Sequence, residues 1–236
     1  MERIDRTLSS KDFSHTTVEK KQSQIETLDL ATFIKKTYQL FAASILAAAT
    51  GAYIGMQMAP AIVSWYWGLV IAEFAALIGL YFTKNKPGIN LMLLFLFTFL
   101  TGITLTPLLS AILALPAGAS IITKSLLLTG LVFGGLSLFA INTAKDFTSI
   151  GKPLFIALII IIIASIVNIF LGSTLLQTII AAGSAFLFSF FIIFDTQNII
   201  RGNFSTPTEA AIALYLDVLN LFVSILQLFG ILGNEE

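Results

Sequence analysis

Cysteine is absent from this 236-residue chain, and histidine occurs once, as His15. Without thiols the chain can form no disulfide and no thiolate-ligated zinc or iron–sulfur centre. The single histidine lies in a polar amino-terminal stretch, which excludes histidine proton relays within a membrane and histidine-ligated haem. No segment matches the phosphate-binding pattern GxxxxGK followed by Ser or Thr, since Thr123 stands where that pattern needs glycine. The sequence therefore gives no support for ATP-driven transport by this chain alone.

Charge is also scarce. Charged residues make up 11% of the chain and hydrophobic residues 57%, with a mean hydropathy of +0.94, whereas soluble domains are about 45–50% apolar. Thirteen of the 26 charged side chains lie within residues 1–36. This distribution predicts a membrane protein with a polar, disordered cytoplasmic tail over residues 1–36, which is neither a signal peptide nor a first span.

Apolar segments of about 20 residues recur after this tail, and each is long enough to cross the roughly 30 Å of hydrocarbon in a bilayer. They predict an all-α, seven-helix membrane domain over residues 37–232 and leave no room for a second domain. The segments are residues 37–58, 61–82, 89–114, 121–142, 153–171, 175–200 and 210–232. In the third segment, Pro107 predicts a kink.

The cations predict the orientation, because Lys and Arg close to membrane spans tend to stay in the cytoplasm. If the amino terminus is cytoplasmic, only one cation near the spans, Lys124, lies outside. The other cations near the spans lie inside and are Lys35, Lys36, Lys84, Lys86, Lys145, Lys152 and Arg201. We therefore predict a multi-pass plasma-membrane protein whose last residues, Glu235 and Glu236, lie on the outer side.

Three ionisable side chains fall within the apolar segments: Glu73, Asp195 and Asp217. Such groups are costly at bilayer depth and are candidates for function. Counted from the cytoplasmic helix ends, Asp195 lies about 8 Å deep, Asp217 about 10 Å and Glu73 about 14 Å. We expect the three carboxylates to share one layer in the cytoplasmic half of the membrane.

Each aspartate has an amide one turn further along its helix, Asn198 after Asp195 and Asn220 after Asp217. If the two carboxyl groups meet, they share a proton, because two adjacent charges cannot both be ionised cheaply. Lys84 is the candidate cationic partner of Asp195. Such a clasp would loosen when the aspartates are protonated, so it would open as the pH falls. The alternatives are that the aspartates serve as interhelical hydrogen-bond glue and that Glu73 is a packed hydrogen-bond partner rather than an ion ligand.

A layer of carboxylate oxygens without histidine or cysteine ligands suits hard cations such as calcium better than transition metals. We therefore regard Asp195, Asp217 and Glu73 as a candidate calcium site. No cofactor is expected other than calcium as a transported ion, and no nucleic-acid partner is expected.

Three sequence elements resemble the Bax inhibitor family, specifically its bacterial branch, and the likeness covers residues 37–232. They are TGITLTP at residues 101–107, FDTQ at 194–197 and ALYLDVLNLF at 213–222. The resemblance implies a bundle wrapped around a central last helix and a passive, pH-sensitive calcium leak rather than an enzyme. It also implies that Asp195 and Asp217 form the pH sensor, that Glu73 lies along the ion path, and that Lys84 stands where relatives carry arginine.

Two other functions share these residues. Paired aspartates on consecutive spans also occur in intramembrane aspartyl proteases, but the bulky Leu214, Tyr215 and Leu216 precede Asp217 where those enzymes have Gly-x-Gly. Some bacterial relatives modulate a membrane-bound ATP-dependent protease, so an interaction role with such a partner stays open. Rhodopsin-like photochemistry is excluded, because the last segment contains no lysine for a Schiff base.

Overall fold

The computed structural model describes the backbone of residues 2–233 and the side chains of residues 29–58, 60–231 and 233. Every regular element in this part of the chain is helical. The α-helices are α1 (Glu2–Gln57), α2 (Ala59–Phe82), α3 (Pro87–Thr104), α4 (Thr106–Leu113), α5 (Gly118–Asn142), α6 (Gly151–Leu171), α7 (Thr174–Ile200) and α8 (Pro207–Leu232), with a 3₁₀ turn at Thr148–Ile150. Seven stretches of residues 2–233 are long and apolar enough to cross a membrane, which confirms the predicted number of spans.

The first helix begins well before the first span. It is continuous from Glu2 to Gln57. The physical reason is that the first glycine of the chain is Gly51 and the first proline is Pro60, so no residue before the span breaks a helix. The predicted outer position of Glu235 and Glu236 lies outside the described residues.

The predicted kink at Pro107 appears as a one-residue interruption between α3 and α4. Leu105 separates the two helices, and Pro107 is the second residue of α4. Proline has no N–H to give to the carbonyl of Ile103, and its ring crowds that carbonyl, so the ladder loses one hydrogen bond there. The flanking bonds remain, since the Thr101 carbonyl accepts from the Leu105 N–H at 3.1 Å and the Leu105 carbonyl accepts from the Leu109 N–H at 3.0 Å.

The last helix is central. Helix α8 packs against α1, α3, α5 and α7, whereas α6 lies at the periphery against α7. Ala210, Ala211 and Leu214 on α8 are completely buried, which is unusual for residues so near the end of a span. The structure therefore confirms the predicted bundle wrapped around its last helix.

Small residues bring α1 and α3 into backbone contact. A Cβ atom at Gly51 would collide with the carbonyl oxygen of Phe99, and one at Gly102 would collide with that of Ala48. In contrast, a Cβ atom at Gly130 or Gly134 would meet no atom within 4 Å. Gly51 and Gly55, and likewise Gly130 and Gly134, are four residues apart and form small-x-x-x-small pairs. The first pair lies in a helix packing interface, as such pairs often do in membranes. The second pair does not.

Candidate functional site

The two intramembrane aspartates meet at the contact between α7 and α8. The carboxyl groups of Asp195 and Asp217 lie within hydrogen-bonding reach of each other. Both residues are buried, at 7% and 4% exposure. Two ionised carboxylates so close together repel each other, and a proton held between them would remove that repulsion. Among the described residues, Oδ2 of Asp217 receives no hydrogen bond, and no lysine or arginine forms an ion pair with either aspartate.

The two asparagines do not support the aspartates as expected. The side-chain amide of Asn198 donates to the Phe194 carbonyl of its own helix at 3.0 Å. That of Asn220 donates to the Leu216 carbonyl at 2.7 Å. Both NH₂ groups therefore donate within their own helices, and Oδ1 of Asn198 accepts from the Asn203 side chain at 2.9 Å.

Gln197 belongs to the FDTQ element, but the sequence predicted no role for it. Its Oε1 accepts a hydrogen bond from the Phe147 N–H at 2.7 Å, and its Nε2 donates to the Lys145 and Ala140 carbonyls at 2.9 and 3.3 Å. One buried side chain thus fastens the α5–α6 connection to α7, two residues after Asp195. The sequence signal was a glutamine at the end of an otherwise apolar span.

Glu73 lies in a second polar cluster, on the side of α8 that faces α3. Its Oε2 accepts a hydrogen bond of 2.7 Å from the hydroxyl of Thr104, at the carboxyl end of α3. Tyr215 of α8 lies within electrostatic range of Glu73, and its ring packs edge-on against Phe97. Because Tyr215 and Asp217 are two residues apart, they point to nearly opposite sides of the helix.

This arrangement separates the three acids that we expected to share a calcium site. Among the described side chains, no three acidic or histidine groups lie close enough to hold a metal ion. Asp195 and Asp217 come together, whereas Glu73 is kept apart from them by α8. The depths counted along the sequence placed the three carboxylates at similar heights. They could not show on which side of α8 each carboxylate lies.

Lys84 has a different partner from the one predicted. Its Nζ lies 2.8 Å from Oε1 of Glu209, in the first turn of α8, and not against Asp195. The physical reason is solvation: Glu209 is 30% exposed at the helix end, so Lys84 can reach it without taking its ammonium group into the bundle. This hydrogen bond raises the pKa of Lys84.

Glu209 was missed by the sequence analysis. The hydroxyl of Thr206 caps α8 by accepting from the Glu209 N–H at 3.1 Å, and Oε2 of Glu209 accepts from the Ser205 N–H at 3.2 Å. The spacing of threonine and glutamate three residues apart is the signature of a capping box. It could have placed Glu209 at the helix start, although not its contact with Lys84.

Comparison with known sequences identifies the family. Residues 30–234 match the family model described as inhibitor of apoptosis-promoting Bax1. The chain belongs to the Bax inhibitor family. The match covers all seven spans and the residues of both polar clusters.

Several bacterial proteins are similar to this Bax inhibitor family chain over most of their length. A protein of Campylobacter jejuni is 53% identical over 207 residues, which are 85% of this chain and 88% of that protein. A membrane protein of Vibrio cholerae is 39% identical over 214 residues, 89% and 94% of the two chains. The inner membrane protein YbhL of Escherichia coli is 34% identical over 176 residues, 69% and 73%. These names and the seven apolar helices support a multi-pass inner membrane protein.

Proposed function

We propose that this protein is a passive, pH-sensitive calcium leak of the bacterial inner membrane, in which Asp195 and Asp217 sense the pH. The observation that carries the proposal is the contact between two buried carboxyl groups on adjacent spans. Such a pair is costly at bilayer depth, and its protonation changes the force between the helices that carry it.

The number of shared protons decides how firmly α7 and α8 are held together. With one proton, the pair forms a charge-assisted hydrogen bond, which is about twice as strong as a neutral one. A second proton replaces it by a neutral bond, so acidification weakens the contact at Asp195 and Asp217. The leak should therefore rise as the pH falls through the range in which the second proton is taken up. This reasoning keeps the predicted sign but no longer needs Lys84 as the partner of Asp195.

Glu73 supplies a charge on the proposed ion path. It is the only acidic side chain of α2, and its partner Thr104 is the last residue of α3, beside the proline-interrupted junction with α4. Carboxylate and carbonyl oxygens are the ligands that calcium prefers. Glu73 therefore attracts a partly dehydrated cation on the side of the bundle that faces α2 and α3.

The aspartates are less well placed for proteolysis. Both are buried, at 7% and 4% exposure, and Leu214 and Tyr215, which precede Asp217 on α8, are buried at 0% and 2% exposure. This packing is unfavourable for the approach of a peptide strand to Asp217. We therefore favour an ion leak over the protease alternative.

The test is calcium entry into proteoliposomes over a range of pH, compared with protein-free liposomes. The wild-type leak should grow on acidification. In Asp195→Asn and in Asp217→Asn, the amide replaces the shared proton, so the rise should be lost or move to clearly lower pH. Asp146→Asn, which neutralises an exposed aspartate outside the spans, is the matched control and should keep the wild-type profile. A wild-type flux no greater than that of empty liposomes would overturn the leak, and unchanged profiles in both Asn variants would overturn the sensor.

A further inference from the structure

An open groove lies between α1 and α5, with α8 as its floor. Its volume is about 500 Å³, and none of the described residues that line it is charged. Both walls belong to membrane spans, and both helices pack against α8. Ile45 on one wall and Leu126 on the other are exposed, at 39% and 56%. The groove therefore faces the hydrocarbon of the bilayer and not water.

The two hydroxyl groups in the lining of the groove already have partners. The Thr129 hydroxyl donates to the Ser125 carbonyl of its own helix at 2.7 Å. The Tyr215 hydroxyl donates to the Thr98 carbonyl of α3 at 3.5 Å. Because both hydroxyls are used by the backbone, the groove offers a ligand mainly apolar contacts, and a polar ligand would lose its own hydrogen bonds there.

The two ends of the groove differ. Toward the end of the bundle that we predict to be cytoplasmic, the rings of Phe41 and Phe133 lie 5.1 Å apart and join the two walls. Toward the other end, the lining reaches Ile122, which is four residues, or about 6 Å, from the start of α5. A ligand from the leaflet that we predict to be outer can thus extend along the groove as far as the pair of rings.

The dimensions of the groove suit a hydrocarbon chain better than a helix. Its lining residues on α5 extend from Ile122 to Phe133, or about 16 Å. Over this length, a volume of about 500 Å³ gives a mean cross-section of roughly 30 Å². A helix about 10 Å across needs roughly 80 Å², whereas a chain of carbon atoms that keeps neighbours about 4 Å away needs only about 20 Å². The groove is therefore too narrow for a helix of a partner protein or of a second copy.

We propose that this groove binds one acyl chain of an outer-leaflet phospholipid, held between α1 and α5 and against Leu219 and Phe222 of α8. Apolar cavities of about 150 Å³ already take up small hydrocarbons. In the groove, the chain makes dispersion contacts with three helices, which it lacks where it touches one helix from outside. The site goes beyond the proposed leak and does not depend on it, because it involves neither an ion nor a titrating group.

Gly130 allows the groove to be filled without a collision inside the bundle. It lines the groove, and a Cβ atom there would meet no atom within 4 Å. Gly130→Phe therefore places a ring in the space of the acyl chain. The matched control is Gly135→Phe, because Gly135 also has open space but lies about 140° further around α5 and is not among the described residues that line the groove. Ala49→Phe fills the groove from the α1 wall, at a site where no glycine is lost.

The probe is a phosphatidylglycerol with a photoactivatable diazirine in the middle of one acyl chain, reconstituted with the full chain in liposomes. After illumination, mass spectrometry maps the labelled peptides. In the wild type and in Gly135→Phe, label should concentrate within residues 122–133 and 215–222, several-fold above the peripheral helix α6. In Gly130→Phe and Ala49→Phe, this excess should disappear. A phosphatidylethanolamine with the same chain should label the same residues, because no charge in the groove distinguishes the headgroups.

The melting temperature of each variant in one detergent checks that its bundle is intact. Equal labelling of the groove and α6 in the wild type would overturn the site, since the lipid would then be ordinary lipid around the protein. An excess that persists in both groove-filling variants would also overturn it, as would labelling that requires the phosphatidylglycerol headgroup. Because the chain has no cysteine, Leu126→Cys tests the other occupant: efficient disulfide formation between two copies would mean that a second copy covers the groove.

Discussion

The Thr104 hydroxyl lies 2.7 Å from Oε2 of Glu73 and donates a hydrogen bond to it. This contact places the single acid of α2 beside the interruption between α3 and α4. The carboxylate is thereby held by a hydroxyl inside the membrane span that α3 and α4 form together.

The first prediction concerns the charge of Glu73. Glu73→Gln keeps the shape of the side chain and an oxygen to accept from Thr104 but removes the charge, so calcium flux should fall by about tenfold, equivalent to about 1.4 kcal/mol in the barrier. Thr104→Val is the control, because it removes the hydrogen bond and keeps the charge, and its flux should fall less. Flux through Glu73→Gln equal to the wild type would make Glu73 a packing residue.

The second prediction concerns the α1–α3 interface. Gly51→Ala places a Cβ atom against the Phe99 carbonyl and should lower stability by about 1–3 kcal/mol, the usual cost of overpacking. Gly134→Ala meets open space and should be neutral or stabilising by up to about 1 kcal/mol, because alanine favours the helix more than glycine does. Thermal unfolding in one detergent compares the two variants. Equal melting temperatures would contradict the interface.

The spans, the paired aspartates and the two glycines show which features the sequence alone can predict. Long apolar segments predicted the seven spans, since hydropathy and length suffice to identify a membrane helix. Depths counted from the helix ends also placed Asp195 and Asp217 at similar heights. The sequence could not separate Gly51 from Gly134, because both glycines fit the same small-residue pattern and only the neighbouring helix decides which is covered.

Flexible side chains were harder to predict. Lys84 was expected to reach Asp195 but contacts Glu209, because a long stem can choose among several acids and solvation decides between them.

The third prediction concerns Gln197, whose side chain bonds to two backbone groups of the α5–α6 connection and to the Ala140 carbonyl near the end of α5. Gln197→Ala should lower stability by about 1–3 kcal/mol, because it removes the partners of the Phe147 N–H and the Lys145 carbonyl. Limited proteolysis within residues 143–150 should become faster. Asn142→Ala is the control, since that exposed amide bonds only within its own helix. If both variants were cut at the wild-type rate, Gln197 would not hold the connection.

The fourth prediction is the pH range of the Asp146–Arg201 ion pair. Hydrogen bonds from the Arg201 guanidinium and from Thr148 lower the pKa of Asp146 to about 2. Because this pKa is lower in the folded than in the unfolded chain, the pair stabilises the fold above the ordinary aspartate range and is lost as the pH falls through about 2. Carboxyl chemical shifts of labelled aspartate should report this value. Arg201→Gln should return the titration toward the ordinary range, and a wild-type titration already there would contradict the pairing.

The last prediction is the orientation of the bundle, for which the two ion pairs add a structural argument. The Lys84–Glu209 pair joins the α2–α3 connection to the start of α8, and the Asp146–Arg201 pair joins the α5–α6 connection to the end of α7. These connections therefore lie at one end of the bundle, and they carry most of the cations near the spans. Since cations near spans favour the cytoplasm, that end should be cytoplasmic and the α8 carboxyl end should be outside. A reporter active only outside the cytoplasm should work when fused after residue 236 and fail when fused before residue 1. The reverse activities would invert the bundle and place the Lys84–Glu209 pair on the outer side.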